Sequence, residues 1–146
     1  LQNSGEIIIG KNDINKNYLQ NGAFMKSNLV HLDLHNKRVL LRFDGNVPID
    51  RGTILNDQRL LAILPTLQML SDKGATVILL THIGRPACKD LTLSTRQLIS
   101  WFKDYGMHVI FAQNPADALH KVQKGHKLIL IENIRFFPGE KTQDEV

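Results

Sequence analysis

The chain has 146 residues, 42% of them hydrophobic and 22% charged, with a formal net charge of +4. That is enough for one domain with a real core, and no apolar run approaches the roughly 20 residues needed to cross a bilayer. The single cysteine, Cys88, rules out an internal disulfide and fits a reducing, cytoplasmic compartment, while the basic balance favours an anionic partner without naming one.

Residues 1–24 differ from the rest. They are rich in Asn and Gly, and their one apolar cluster is Ile7-Ile8-Ile9. They lack the basic start and long apolar core of a secretory signal, and Glu6 and Asp13 argue against an organellar transit peptide. Met25 opens a segment that reads like a natural beginning. Residues 1–24 are therefore expected to be an extension outside the fold, whether vector-derived, upstream read-through or a native arm, and residues 25–146 the domain.

Four apolar runs follow, at residues 38–43, 76–81, 108–112 and 127–131. Val77-Ile78-Leu79-Leu80 has no polar alternation and reads as a strand buried on both faces, as in a parallel sheet. Between the first two runs, residues 57–73 carry Leu60, Leu61, Ile63, Leu64, Leu67 and Leu70 as one apolar stripe at helical spacing. Asp57 is placed to cap this helix and Gly74 to end it, while Pro65 should weaken or kink it. A second helix is predicted from Ser94 through Leu98, Ile99, Trp101, Phe102 and Tyr105 to a stop at Gly106. A third, short one runs from Pro115 to Lys124, with Pro115 suited to its first turn. Strand–helix alternation of this kind predicts an α/β fold, a Rossmann-like parallel sheet of βαβ units with helices on both faces.

Parallel strands share one carboxyl edge, where such sheets keep their ligands. The groups after each run therefore outline a site. Arg42, Asp44 and Asn46 lie at the end of the first run, and His82 and Arg85 follow the second. Gln113 and Asn114 follow the third, and Glu132, Asn133 and Arg135 the fourth. Arg59 begins the first helix near the same edge. Arg59, Arg85, Arg135 and His82 form a cationic basin, suited to phosphate or carboxylate because the guanidinium fork stays charged and binds bidentately. Asp44 and Asn46 make sense there as acceptors for a ligand hydroxyl or as groups that orient an arginine. The implied ligand is small, anionic and hydroxylated.

Each of these residues also has a plain reading: solvated loop arginines, a strand-end histidine, turn residues before Pro48. Convergence on one edge favours the site. No Walker-type loop, Gly-x-Gly-x-x-Gly fingerprint, nucleophile triad or metal-ligand spacing is present. Lys and Arg form no basic stripe with stacking aromatics, which argues against nucleic acid.

Arg42-Phe43-Asp44-Gly45-Asn46-Val47-Pro48 resembles the Arg-Val-Asp-Phe-Asn-Val-Pro segment of the phosphoglycerate kinase family. Asn56-Asp57-Gln58-Arg59 with Ala62-Ile63-Leu64-Pro65-Thr66 resembles its Asp-x-x-Arg and Ala-Leu-Pro-Thr-Ile run. His82-Ile83-Gly84-Arg85-Pro86 resembles its His-Leu-Gly-Arg-Pro, and Glu132-Asn133-Ile134-Arg135-Phe136, followed by Gly139-Glu140, its Glu-Asn-Leu-Arg-Phe. The four motifs keep order and spacing from about residue 30 to 141.

The resemblance implies reversible phosphoryl transfer between 1,3-bisphosphoglycerate and ADP in glycolysis, giving 3-phosphoglycerate and ATP, by a typically monomeric enzyme. Asp44 and Asn46 would hold the glycerate hydroxyl and carboxylate end. His82, Arg85 and Arg135 would bind the 3-phosphate and its surroundings, and Arg59 would reach the phosphoryl group in flight. It further implies that Mg-ADP/ATP binds in a C-terminal domain absent here, that the N-terminal domain is incomplete at its C-terminal side, and that this chain is inactive alone. A non-catalytic anion-binding module derived from that domain is the alternative. Two departures stand out: Gly45 where the family has Phe, and Phe43 where it has Val, which predicts a looser or repacked loop.

Overall fold

A computed structural model describes residues 6–9 and 31–138. Strands β1 (Glu6–Ile9), β2 (Arg38–Arg42), β5 (Thr76–Leu80), β6 (Ile110–Ala112) and β7 (Leu128–Ile131) form one sheet in the order β1-β2-β5-β7-β6. Every neighbouring pair is parallel. The predicted α/β class and the four apolar runs are thus the sheet's framework. Part of the extension behaves differently from expectation: Glu6–Ile9 pairs with Arg38–Leu41 as a fifth, edge strand. The apolar β-branched triplet Ile7-Ile8-Ile9 has the composition a strand prefers. The remainder of residues 1–24 lies outside the described residues.

Alternate side chains of each central strand point to opposite faces. Val39, Leu41, Val77, Leu79, Leu128 and Leu130 belong to the main core, beneath helices α1 (Gln58–Leu61), α2 (Leu64–Asp72) and α3 (Leu98–Asp104). Ile78, Ile129 and Ile131 face a smaller cluster with Ala118 of α4 (Pro115–Gln123), with Leu40 and Leu80 partly buried against it. Helices on both faces explain why Val77-Ile78-Leu79-Leu80 shows no polar alternation.

The stripe over residues 57–73 is two helices rather than one kinked helix. Pro65 has no N–H to give the Leu61 carbonyl, and its ring crowds that carbonyl. The first helix therefore ends at Leu61, and Pro65 falls in the first turn of the second, where the missing donor costs nothing. Asp57 occupies the N-cap position of α1, but its side chain makes no capping bond. Gly74, Gly106 and Gly125 follow α2, α3 and α4 with φ of +73, +75 and +87°, the left-handed geometry that glycine takes at a helix end. Ser94 caps a 3-10 turn, Thr95–Gln97, that runs directly into α3. A small hairpin, β3 (Ile49–Asp50) and β4 (Thr53–Ile54), was not anticipated. Arg51 and Gly52 turn it with φ of 45 and 80°, the double left-handed turn that matches strand twist.

Candidate functional site

Strands β2, β5 and β7 are neighbours in the sheet, so the loops leaving their carboxyl ends lie side by side. These loops carry Asp44 and Asn46, His82 and Arg85, and Arg135. Thr81, fully buried, joins the first two: its hydroxyl donates to the Phe43 carbonyl (2.9 Å) and accepts from the Gly45 N–H (2.8 Å). Asn133, also fully buried, joins the second and third. Its amide donates to the carbonyls of Ile83 and Leu93 at 2.8 Å each, and its oxygen accepts from the Arg135 N–H.

Gly84 is the meeting point of the site. Its N–H donates to Asn46 Oδ1 at 2.8 Å, and its carbonyl accepts from Arg135 Nη1 at 2.6 Å. Its φ is +64°, and a Cβ there would lie 2.9 Å from Leu93 Cδ2, so both conformation and space call for glycine. Asn46 in turn donates its N–H to Asp44 Oδ1 (3.3 Å), and Asp44 Oδ2 accepts from Arg59 Nη1 at 3.0 Å. A continuous path therefore links Arg59, Asp44, Asn46, Gly84 and Arg135. His82, half-buried, and Arg85, exposed, flank Gly84 in the same loop. The Arg59–Asp44 ion pair lies near solvent, with side chains 55% and 29% exposed, so attraction across it is modest and its role is orientation.

The groups after β6 do not join this assembly. Asn114 caps α4 through its Oδ1, which accepts from the Asp117 N–H at 2.9 Å, and the Gln113 N–H donates to Asp117 Oδ2. Glu132, at the end of β7, is buried and structural: it accepts from the Ser94 hydroxyl (2.8 Å), the Thr95 N–H (3.0 Å) and the Asn133 N–H (2.8 Å). It fastens the turn that starts α3 onto the sheet.

The unusual Phe43–Asp44–Gly45 segment has a packing cause. A Cβ on Gly45 would sit 2.8 Å from Thr81 Oγ1 and 2.9 Å from Phe43 Cε2. Phe43 is buried and meets Phe102 of α3 edge-on, with ring centroids 6.3 Å apart. The aromatic bulk has moved two positions back along the chain, and glycine fills the vacated place. The loop is repacked rather than loosened.

Sequence reasoning missed Thr81, Gly84 and Asn133 as the residues that join the loops. Gly84 acts through main-chain atoms, which leave no signature in side-chain type. Its place between His82 and Arg85 was the available signal.

The phosphoglycerate kinase family model matches residues 29–146. A phosphoglycerate kinase from Akkermansia muciniphila is 40% identical over 119 residues, covering 77% of this chain and 30% of that protein. Solved structures agree. Phosphoglycerate kinase from Coxiella burnetii superposes with a TM-score of 0.67 at 31% identity, covering 78% of this chain and 29% of that one. The Pyrococcus horikoshii enzyme gives 0.65 at 32% identity, covering 75% and 28%. The chain spans about 30% of the length of the curated relatives it matches. Family model, sequence relatives and fold agree with one another, and the chain belongs to the phosphoglycerate kinase family.

Proposed function

We propose that this chain supplies the phosphoglycerate-binding half of a phosphoglycerate kinase, and that the Mg-nucleotide binds to residues outside it. The observation that carries the reading is the path Arg59–Asp44–Asn46–Gly84–Arg135, which brings two guanidinium groups and two hydroxyl-seeking side chains to one sheet edge. Arg85 and His82 extend the positive surface beside it. Asp44 and Asn46 hold the glycerate hydroxyl and carboxylate end, while His82, Arg85 and Arg135 take the 3-phosphate.

Arg59 spends one N–H on Asp44 and keeps further donors for the phosphoryl group. Phosphoryl transfer depends on in-line positioning and charge neutralisation rather than covalent help, and an arginine held in place supplies both. Among the described residues no three His, Cys, Asp or Glu side chains are placed as metal ligands. No helix among them is long and apolar enough to cross a membrane. We place the enzyme in the cytoplasm, acting as a monomer on small phosphorylated acids, with no nucleic-acid partner.

Calorimetric titration with 3-phosphoglycerate tests the reading. Saturable binding is expected, weakened by salt as exposed charge pairs are screened. Arg135→Ala should weaken it about tenfold or more, the scale of a lost charge-assisted contact. Absence of binding to the folded chain would overturn the assignment. In a coupled assay with 1,3-bisphosphoglycerate and ADP this polypeptide alone should form no ATP; turnover would refute the half-site reading.

A further inference from the structure

Arg59 sits on a helix too short to hold itself in place. A single turn of four residues, Gln58–Leu61, is far below the length at which helices persist unaided. Its direction is set from outside, and the neighbours that set it are specific. Leu60, next to Arg59, is fully buried in the main core. On the other side, Asp57 sends its carboxylate across to α3. Oδ2 accepts from Trp101 Nε1 at 2.9 Å and from the Tyr105 hydroxyl at 3.2 Å. The two aromatic rings lie 4.4 Å apart, and Trp101 meets Phe102 at 5.3 Å. Phe102 packs on Phe43, the residue before Asp44.

The contacts close a ring. Helix α3 touches Asp44's strand end through Phe102, and Arg59's helix through Trp101 and Tyr105. Arg59 and Asp44 then meet each other at 3.0 Å. We propose that Asp57, Trp101 and Tyr105 are positioning residues that fix the guanidinium of Arg59 over Asp44, a role resting on the proposed phosphoglycerate site but readable without ligand. The Tyr105 phenol is held above its ordinary pKa, first by desolvation and then by its bond to Asp57, as expected of a proton kept in place by the carboxylate.

The test has a ligand-free arm and a ligand arm. Trp101 is the chain's one tryptophan, so its indole N–H gives a single, identifiable NMR signal. The double variant Trp101→Phe, Tyr105→Phe keeps aromatic packing and removes both donors. Asp57→Ala, which removes the acceptor and leaves the aromatic helix intact, serves if the double variant does not fold. In either, the Arg59 Nε–H signal should shift and gain mobility, as it should in Asp44→Asn. An unchanged Arg59 signal, with the Asp57 bonds demonstrably gone, overturns the proposal.

In the ligand arm, because Arg59 orients Asp44, which holds the glycerate hydroxyl end, the double variant should bind 3-phosphoglycerate about five- to tenfold more weakly, and the loss should vanish in an Arg59→Ala background. Equal losses in both backgrounds would mark a general structural effect and overturn it. If the wild-type chain binds no 3-phosphoglycerate, the substrate assignment fails, while the Arg59 signal still decides the positioning role.

Discussion

Gly45 and Phe43 act as one unit, because the ring of one occupies space that a side chain on the other would need. Gly45→Ala should destabilise the fold by about 1–3 kcal/mol, the usual cost of forcing a methyl into a packed site. Phe43→Val in the same chain relieves the ring contact but not the one with Thr81, so it should recover only part of that loss; urea titration of the single and double variants measures it. Glu132 is a stronger case. Replacing it with Ala strands the Ser94 hydroxyl and the Thr95 and Asn133 N–H groups in the interior. A loss of about 3 kcal/mol or more is expected, read as a lower denaturation midpoint. At this scale, sequence identified the residue types of the site but not their partners. Asn46 and Arg135 were legible as polar groups at strand ends. That both bind the main chain of Gly84 was not, because a peptide N–H and C=O are the same at every position.

Elements were more legible than contacts. The apolar runs locate β2, β5, β6 and β7 to within a residue or two; burial on both faces leaves unbroken Val, Ile and Leu in β5 and β7, while β2 and β6 stand out as short apolar runs. The 57–73 stripe had the right face but the wrong continuity. Periodicity records which side is buried and is blind to a break that Pro65 makes without disturbing it. Helix α4 carries a pH-dependent element. The Asp117 carboxyl is held below its ordinary pKa, first by its bond from Lys121, at 2.5 Å, and then by the Gln113 N–H. A carboxylate with a depressed folded pKa adds stability above its unfolded pKa of about 3.9 and loses it as pH falls through the lower folded value. Asp117→Asn should flatten the acid limb of a stability–pH curve below about pH 4, leaving the neutral slope unchanged. An identical acid limb would show that the Asp117–Lys121 pair contributes nothing.

The whole molecule is a parallel sheet with β1 and β6 at its edges. Glu6–Ile9 covers the side of β2 that would otherwise present unpaired N–H and C=O groups. Removing residues 1–24 should therefore promote self-association, visible by light scattering, and lower the urea midpoint; an unchanged monodisperse chain would deny β1 that role. The bonds that join the three site loops connect positions 36 to 51 residues apart. No local stretch of chain can make the site by itself, and loop-closure entropy delays such pairings until the strands between them have docked. Anion affinity is thus a gauge of complete folding: a half-collapsed chain with intact helices should not recognise the ligand. By linkage, ligand at about 100 times its dissociation constant should raise the unfolding free energy by about 2.7 kcal/mol. On the proposed reading, the Gly84 junction would thereby make the bound anion a folding cofactor for this chain.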